Sequence, residues 1–518
     1  MELELRKNSF REYVPLFSKT LSAEETADAV VPDSKPDILR IADTRVFAEI
    51  TGKDQRGGKV YFSGVAKCFV IYSPEGGGAP ECIPVSAVFS VSADPGCDIP
   101  SGAAVRASVE NVFATAREQN PRRVNVRISV RVRAEILAPT EILCCEDVAD
   151  GESYGMELLC EDIETMCLCG MGEKLLNVAE SAELGEIKVG GAEFLFWNLY
   201  PKITEVKLIP GKAVFKGEIN VAGLLKTPED GNSTAHISLS VPFSGVADCP
   251  GADTDAVGVL EARCFDSELS VSEETGTGRG ILAVRTNVNV NAEIRRAQTL
   301  TAVTDAYSTT HDTKTSFSSA EFRSEQRRGS IKADVKEVLP AGIGIKTVYC
   351  ADGVVEEAVL AEDGLSAIVR ATVMFEGEDG GTYSVSKNIK ASAPADEFAE
   401  GKIVSAVLGG ESYRISSTEE VEFSATVEAW AEVERTEAKN ILSSLSVSDR
   451  EIRGRTPSLT LCGILEGESW WELGKRMRAS ADEIMAANGI EEGDPPGDRM
   501  LLIPKKAACR KRNNGGVC

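Results

Sequence analysis

The sequence predicts a mainly β protein: three tandem β-sandwich-like repeats followed by a small α+β domain of strand–helix–helix–strand (βααβ) order. Three observations predict it. Long stretches alternate apolar and polar residues with the period of two that a half-buried strand needs. Two such stretches recur three times along the chain. Near the C-terminus the apolar period becomes that of a helix, behind two capping signals.

The first recurring block spans 59–72, 212–225 and 365–375, and places Gly64, Gly217 and Arg370 at even spacing. The second spans 124–136, 281–294 and 421–433. Each of its copies ends in Ala-Glu followed by Ile136, Ile294 or Val433. Val and Ile on one face with Arg, Asn or Glu on the other mark sheets with one wet side. Short strands separated by Gly, Pro and Asp turns point to sandwiches. The copies are too long for solenoid units, so tandem globular domains are expected. The expected boundaries are a lead-in over 1–29 and β repeats over 30–140, 177–300 and 317–440. Between them lie an acidic, cysteine-containing linker over 141–176 and a Ser/Thr-rich linker over 301–316. A further linker covers 441–457, the βααβ domain 458–505, and a basic tail 506–518. A helix is expected inside the first linker, from Met156 to Val178.

In the βααβ segment, Ser469-Trp470-Trp471-Glu472 forms a capping box, and Ser480 to Glu483 repeats the pattern. Trp470, Leu473 and Met477 share one helix face, as do Ala481, Ile484 and Met485 on the second helix, and both faces point to a core. Residues 501–503 form the closing strand. Trp471 lies about 100° further round the first helix, in one stripe with Lys475 and Arg478. That stripe is either a hot spot for an acidic protein partner or a face packed on the preceding β-domain.

The segment resembles a LysM module, a small carbohydrate- or protein-binding fold. Gly467-Glu468-Ser469 stands where the family has Gly-Asp-Thr, and Trp470-Trp471 where Leu-Trp is usual. The stretch after Pro496-Gly497 is one residue longer than the family pattern. By position, Gly467, Glu468 and Ser469, with Asn488 and Gly489, match the family's glycan groove.

A further match opens the first repeat: Val31-Pro32-Asp33-Ser34-Lys35-Pro36-Asp37-Ile38-Leu39. Physically this is a turn, since Pro32 and Pro36 fix φ and exclude helix before them. With the Gly64 block and the LysM-like end, it is similar to the SPOCS-domain family of spore-forming Firmicutes, which includes spore-coat morphogenetic proteins of the SipL type. The resemblance implies a non-enzymatic assembly or scaffold protein of endospore formation. Its LysM-like domain would dock a coat or forespore-surface partner in the mother cell. That partner would be the ATPase of the coat basement layer, and the alternative ligand is peptidoglycan, a polymer containing N-acetylglucosamine.

Composition narrows the remaining chemistry. The net charge of −25 opposes binding to nucleic-acid phosphates. The charged N-terminus has no apolar signal core, and no apolar run reaches the roughly 20 residues of a membrane span. A cytoplasmic chain with reduced cysteines is therefore expected. Cys68, Cys264 and Cys350 sit in strands as small apolar residues. Cys144, Cys145, Cys160, Cys167 and Cys169 lack the Cys-x-x-Cys spacing of zinc sites, so no metal or cofactor is expected. Gly151-Glu152-Ser153-Tyr154-Gly155 matches a nucleophile elbow in letters only, because an acidic stretch precedes it where a buried strand is required. The two histidines, His236 and His311, lie in polar stretches. Gly276 to Gly280 lacks the helix that a dinucleotide site needs. No catalytic residue is expected. The basic residues Lys505, Lys506, Arg510, Lys511 and Arg512 are expected as a solvated end.

Overall fold

The computed structural model describes residues 1–185, 187, 189–227, 233–274, 279–452, 459–491 and 500–504. The first six strands are β1 (Leu5–Val30), β2 (Ile38–Arg56), β3 (Lys59–Pro74), β4 (Glu81–Ala93), β5 (Ala104–Asn120) and β6 (Arg123–Val148). They make two sheets, β1-β6-β5 and β2-β3-β4. The next six are β7 (Met156–Glu183), β8 (Glu193–Ile209), β9 (Lys212–Thr227), β10 (Ser233–Asp248), β11 (Val257–Glu273) and β12 (Gly280–Ser308). Their sheets are β7-β12-β11 and β8-β9-β10. A third six follows: β13 (His311–Pro340), β14 (Ile345–Ala361), β15 (Gly364–Gly377), β16 (Thr382–Ala393), β17 (Lys402–Ser417) and β18 (Glu420–Glu451). They pair as β13-β18-β17 and β14-β15-β16. Within each six, the first strand pairs with the last, and the middle three form a meander.

Alternation sets the packing. Val124, Val126, Ile128, Val130, Val132, Ala134 and Ile136 of β6 are all fully buried, while every second residue between them turns outward. They join Phe62, Cys68 and Phe89 of the facing sheet in one core. The close approach of the strands dictates glycine at two places. A Cβ at Gly64 would collide with the Phe89 ring and the Glu49 carbonyl; one at Gly217 would collide with the Phe243 ring and the Lys202 carbonyl. In the third six, Arg370 does not hold this place. The β14–β15 hairpin closes at Ala361 and Gly364 as the β2–β3 hairpin closes at Arg56 and Lys59. Counting from there puts buried Val369 at the position of Gly64. Arg370 is on the opposite face, 3.2 Å from Glu356. A slip of one residue exchanges the faces of a strand, so the even spacing of the letters was one step off.

The strands overrun the expected boundaries. Residues 1–29 are mostly β1 rather than a lead-in. The expected acidic linker, 141–176, is the end of β6, a single 3-10 turn at Gly151–Tyr154, and most of β7. Met156 to Val178 is extended, not helical. Its Met, Glu and Leu favour helix locally, but pairing along the length of β12 overrides a preference of a few tenths of a kcal/mol per residue. The expected Ser/Thr linker, 301–316, is the end of β12 and the start of β13; 441–451 is the end of β18. These overhangs pair as two-stranded ribbons, with Leu5 opposite Val148, Met156 opposite Ser308 and His311 opposite Glu451. The ribbons pack together through Phe10, Cys145, Ile163, Val303, Phe322 and Leu445. The Phe10 and Phe322 rings lie 6.3 Å apart. The residues of the expected basic tail, and the last part of the 441–457 linker, lie outside the described residues.

The three groups of strands also meet through charge. Arg106 of β5 reaches Glu135 at 2.6 Å and Glu293 of β12 at 2.5 Å. Arg295 reaches Glu293 at 2.7 Å and Glu432 of β18 at 2.7 Å. The three glutamates are those of the recurring Ala-Glu pairs. Burial pushes the Glu293 carboxyl up, but the facing guanidiniums of Arg106 and Arg295 outweigh it and hold the carboxyl below its ordinary value. Arg45 of β2 pairs with Asp43 and with Asp352 of β14, and Phe47 packs on Trp197 with ring centroids 4.9 Å apart. Arg295→Leu should destabilise the chain by about 3 kcal/mol, because it takes a guanidinium away from two nearly buried carboxylates and leaves Arg106 as the guanidinium on Glu293. Adding Glu293→Gln and Glu432→Gln should recover most of that loss. Thermal unfolding of the variants tests this, and a single substitution that leaves the midpoint unchanged would contradict it.

Candidate interaction site

The C-terminal module consists of β19 (Leu459–Gly463), α1 (Trp470–Met477), α2 (Ala481–Asn488) and β20 (Met500–Pro504). β19 and β20 pair antiparallel, with Leu461 opposite Leu502. Leu473, Ala479, Ile484, Leu501 and Ile503 form the module's core, and Trp470 and Met477 pack against it. The first capping box is complete: the Glu472 amide donates to Ser469 Oγ at 3.2 Å, and the Ser469 amide donates to Glu472 Oε2 at 2.8 Å. The second is not, since the Ser480 side chain makes no capping bond to α2. Ser480 is nonetheless buried, so its hydroxyl is placed by packing.

Four of the eight expected site residues flank the helices, and a fifth, Asn488, is the last residue of α2. Gly467 takes a positive φ of 77°, which suits glycine in a tight turn. Glu468 binds Arg476 at 2.6 and 2.7 Å, and its Oε2 accepts the Leu465 amide. Ser469 is the helix cap. Asn488 donates to the carbonyls of Ile484 and Leu502 at 2.7 and 2.8 Å and accepts the Leu502 amide at 2.8 Å. Gly489, at φ 63°, ends α2. Glu468, Ser469 and Asn488 thus spend their polar atoms on shaping the module. Pro496 and Gly497 lie outside the described residues.

Of the other three, Trp471 and Lys475 share one side of α1 as helical spacing requires, whereas Arg478 is the left-handed residue that ends the helix, at φ 51°, and reaches the same side from there. That side faces the chain's own β12 and β13. Trp471 Nε1 donates to Asp305 Oδ2 at 2.8 Å, and Lys475 Nζ reaches both Asp305 oxygens at 2.7 and 2.6 Å. Arg478 reaches Asp312 at 2.7 Å. The Tyr307 ring meets the Trp471 ring edge-on at 4.7 Å, and its hydroxyl donates to the Ala479 carbonyl at 2.9 Å. Of the two roles open to the stripe, packing on the β-body is the one observed. Asp305 and Tyr307 escaped sequence reasoning because they sit in a stretch taken for a linker. Their i, i+2 spacing, which puts an acid and a ring on one face once the stretch is a strand, was the available signal.

Other sequence candidates fall elsewhere. Ser153 lies in the 3-10 turn between β6 and β7, without the strand-to-helix geometry of a nucleophile elbow. His311 stacks edge-on against Tyr154 at 5.4 Å, and its Nδ1 lies 2.8 Å from the Thr310 hydroxyl. His236 is in β10, opposite Leu224. The turn over Val31–Asp37 is tied down from inside: Arg122 pairs with Asp37 and donates to the Val31 and Pro32 carbonyls, and the Tyr72 hydroxyl donates to the Pro36 carbonyl. The twelve cysteines among the described residues form no disulfide. Burial pushes the Cys68 thiol up to about 12 and the Cys145 thiol up to about 11. A cavity of about 390 Å³ between the first two groups of strands is lined by Tyr13, Lys53, Arg106 and Glu173. Lys53 and Glu173 neutralise each other across it at 2.6 Å. Among the described residues no helix is long and apolar enough to cross a membrane. No family model, curated protein or solved structure matches the chain.

Ser469→Ala should cost α1 about 1 kcal/mol, while Ser480→Ala should leave the start of α2 nearly unchanged. Hydrogen exchange of the two helices in the full chain separates the cases, and equal effects would contradict the assignment. A pH dependence follows from Asp305. Burial raises its carboxyl, but hydrogen bonds from Lys475 and Trp471 outweigh burial and hold it below its ordinary value. A depressed carboxylate contributes stability above its unfolded value and loses it as pH falls through the folded one. Docking of α1 should therefore hold from neutral pH down and weaken only below about pH 4. Exchange of the α1 amides across that range is the measurement.

Proposed function

We propose that this chain is a non-enzymatic assembly protein of endospore formation, in which a three-part β scaffold carries a LysM-like module that docks a coat or forespore-surface partner. The observation that carries the reading is the βααβ order of 459–504, with its capped first helix, behind three groups of six strands with one shared order. That combination agrees with three tandem domains and a C-terminal LysM-like module, the arrangement implied by the SPOCS resemblance. The surroundings of Ser153 and the histidines support a binding role over catalysis. The buried charges of the body are spent on one another, and the charges of the 390 Å³ cavity are largely paired. The partner implied by the resemblance is the ATPase of the coat basement layer, and the setting is the mother cell.

Two capture experiments test the proposal. Full-length tagged chain recovered from sporulating cells should bring down a coat protein stoichiometrically, and should leave insoluble peptidoglycan unbound in a pulldown. Retention on peptidoglycan with no coat protein captured would replace the assembly role with glycan binding. Turnover of a wall or coat polymer by the purified chain would refute the non-enzymatic reading.

A further inference from the structure

We infer that the α1 face of the module is a strand-recognition surface held closed by the chain itself, with β12 occupying the place of an external ligand. The inference rests on the reading above only in taking that face as the partner-binding one. The contact has the form of a ligand complex. A carboxylate, Asp305, receives the indole N–H of Trp471 and the ammonium of Lys475 together. An aromatic ring two residues later, Tyr307, meets the Trp471 ring edge-on and reaches the end of α1 with its hydroxyl. In an extended strand, residues i and i+2 share a face, so one Asp-x-Tyr strand presents both groups together.

Two further observations mark the contact as specific. Gly474 lies in the middle of α1, where glycine weakens a helix. A Cβ there would lie 2.5 Å from the Tyr307 hydroxyl and 2.8 Å from the Ala479 carbonyl, so the glycine admits both the seat and the helix's closing turn. The seat is also unique among the three long terminal strands. Counting from the Ala-Glu pairs, the places of Asp305 and Tyr307 are taken by Asp147 of β6 and Ala149 just past its end, and by Ser444 and Ser446 in β18. Only β12 carries the carboxylate and the aromatic ring together. The contact is at the same time releasable. Lys475 and Arg478 remain 47% and 43% exposed, and such pairs are screened by salt and displaced by competing carboxylates. The partner that fits is therefore an acidic protein segment in extended form, carrying an aromatic residue two positions after an Asp or Glu. It binds by displacing β12 from α1.

The probe is a fluorescein-labelled peptide with the sequence of residues 301–308, titrated by anisotropy into the full chain at low salt. Asp305→Lys repels Lys475 and opens the seat while leaving the module intact. This variant should bind the peptide at least about tenfold more tightly than the wild type, the factor that 1.4 kcal/mol of lost competition provides. Adding Lys475→Glu to Asp305→Lys should abolish binding. Arg478→Glu, which loosens the latch at an exposed rim contact the peptide lacks, should give a smaller gain and covers the case in which Asp305→Lys disturbs the body. Equal affinity for wild type and both opened variants would overturn the inference. So would binding that survives Lys475→Glu, or no binding by a variant whose α1 amides exchange as undocked. The assay uses no cellular partner, so a failed capture with a positive peptide result would count against the assembly reading alone.

Discussion

Everything in this structure depends on where the charges of the three Ala-Glu positions go. Glu135, Glu293 and Glu432 lie on the long last strands of the three groups, and the latter two are almost wholly buried. A buried carboxylate without a partner costs several kcal/mol, so each must meet a guanidinium. Arg106 and Arg295 each hold a glutamate of their own group and one of the next, from β5 to β12 and from β12 to β18. The sheets cannot slide by one residue without leaving an ion unpaired. Apolar packing gives the body most of its stability, but it is tolerant of register, whereas a shared chain of ion pairs is not. The same logic recurs at Arg323, which pairs with Glu12 of β1 and Glu434 of β18.

Much of the β architecture was legible in the sequence because one wet face leaves an alternating trace. The runs through Val124, Leu282 and Val421 could hardly be misread. The ribbon ends were illegible for the opposite reason. Their two faces contact other ribbons and solvent in turn, so Cys, Thr, Ser and Leu replace a clean alternation. The segment 156–178 even carries helix-forming letters, and only the non-local partner β12 makes it a strand. Propensity is local, while ladder formation depends on residues more than a hundred positions away. Arg370 illustrates a finer limit. Letters can be spaced evenly while hairpin lengths differ, and then the spacing picks the wrong face.

At the candidate site, the local features of α1 were readable. Capping, the core face and the outward stripe all depend on intervals of three and four residues. The second cap shows where letters stop: Ser480 has the right identity and spacing, yet its hydroxyl makes no bond to α2. What the stripe faces was not local information. It needed Asp305 and Tyr307, which a linker assignment had removed from consideration. Asn488 and Glu468 taught a similar lesson, since residues placed by resemblance in a groove use their polar atoms to hold loops in shape.

If the α1 face is the binding face proposed above, docking it in this way changes what it can discriminate. A free tryptophan flanked by cations would attract many acidic surfaces, and a chain with a net charge of −25 supplies many of its own. Seating that face on Asp305 and Tyr307 removes weak competitors, because each must first match a carboxylate, a ring and a hydroxyl already in place. Affinity is lost by the free energy of the seat, while selectivity rises, since only a ligand with the same paired groups regains what it displaces. The three-part body then does more than space the module from its surroundings. By fixing the register of β12 through Glu293 and Arg295, it fixes the position of the strand that guards the module. The buried ion chain and the tryptophan seat are thus two ends of one strand.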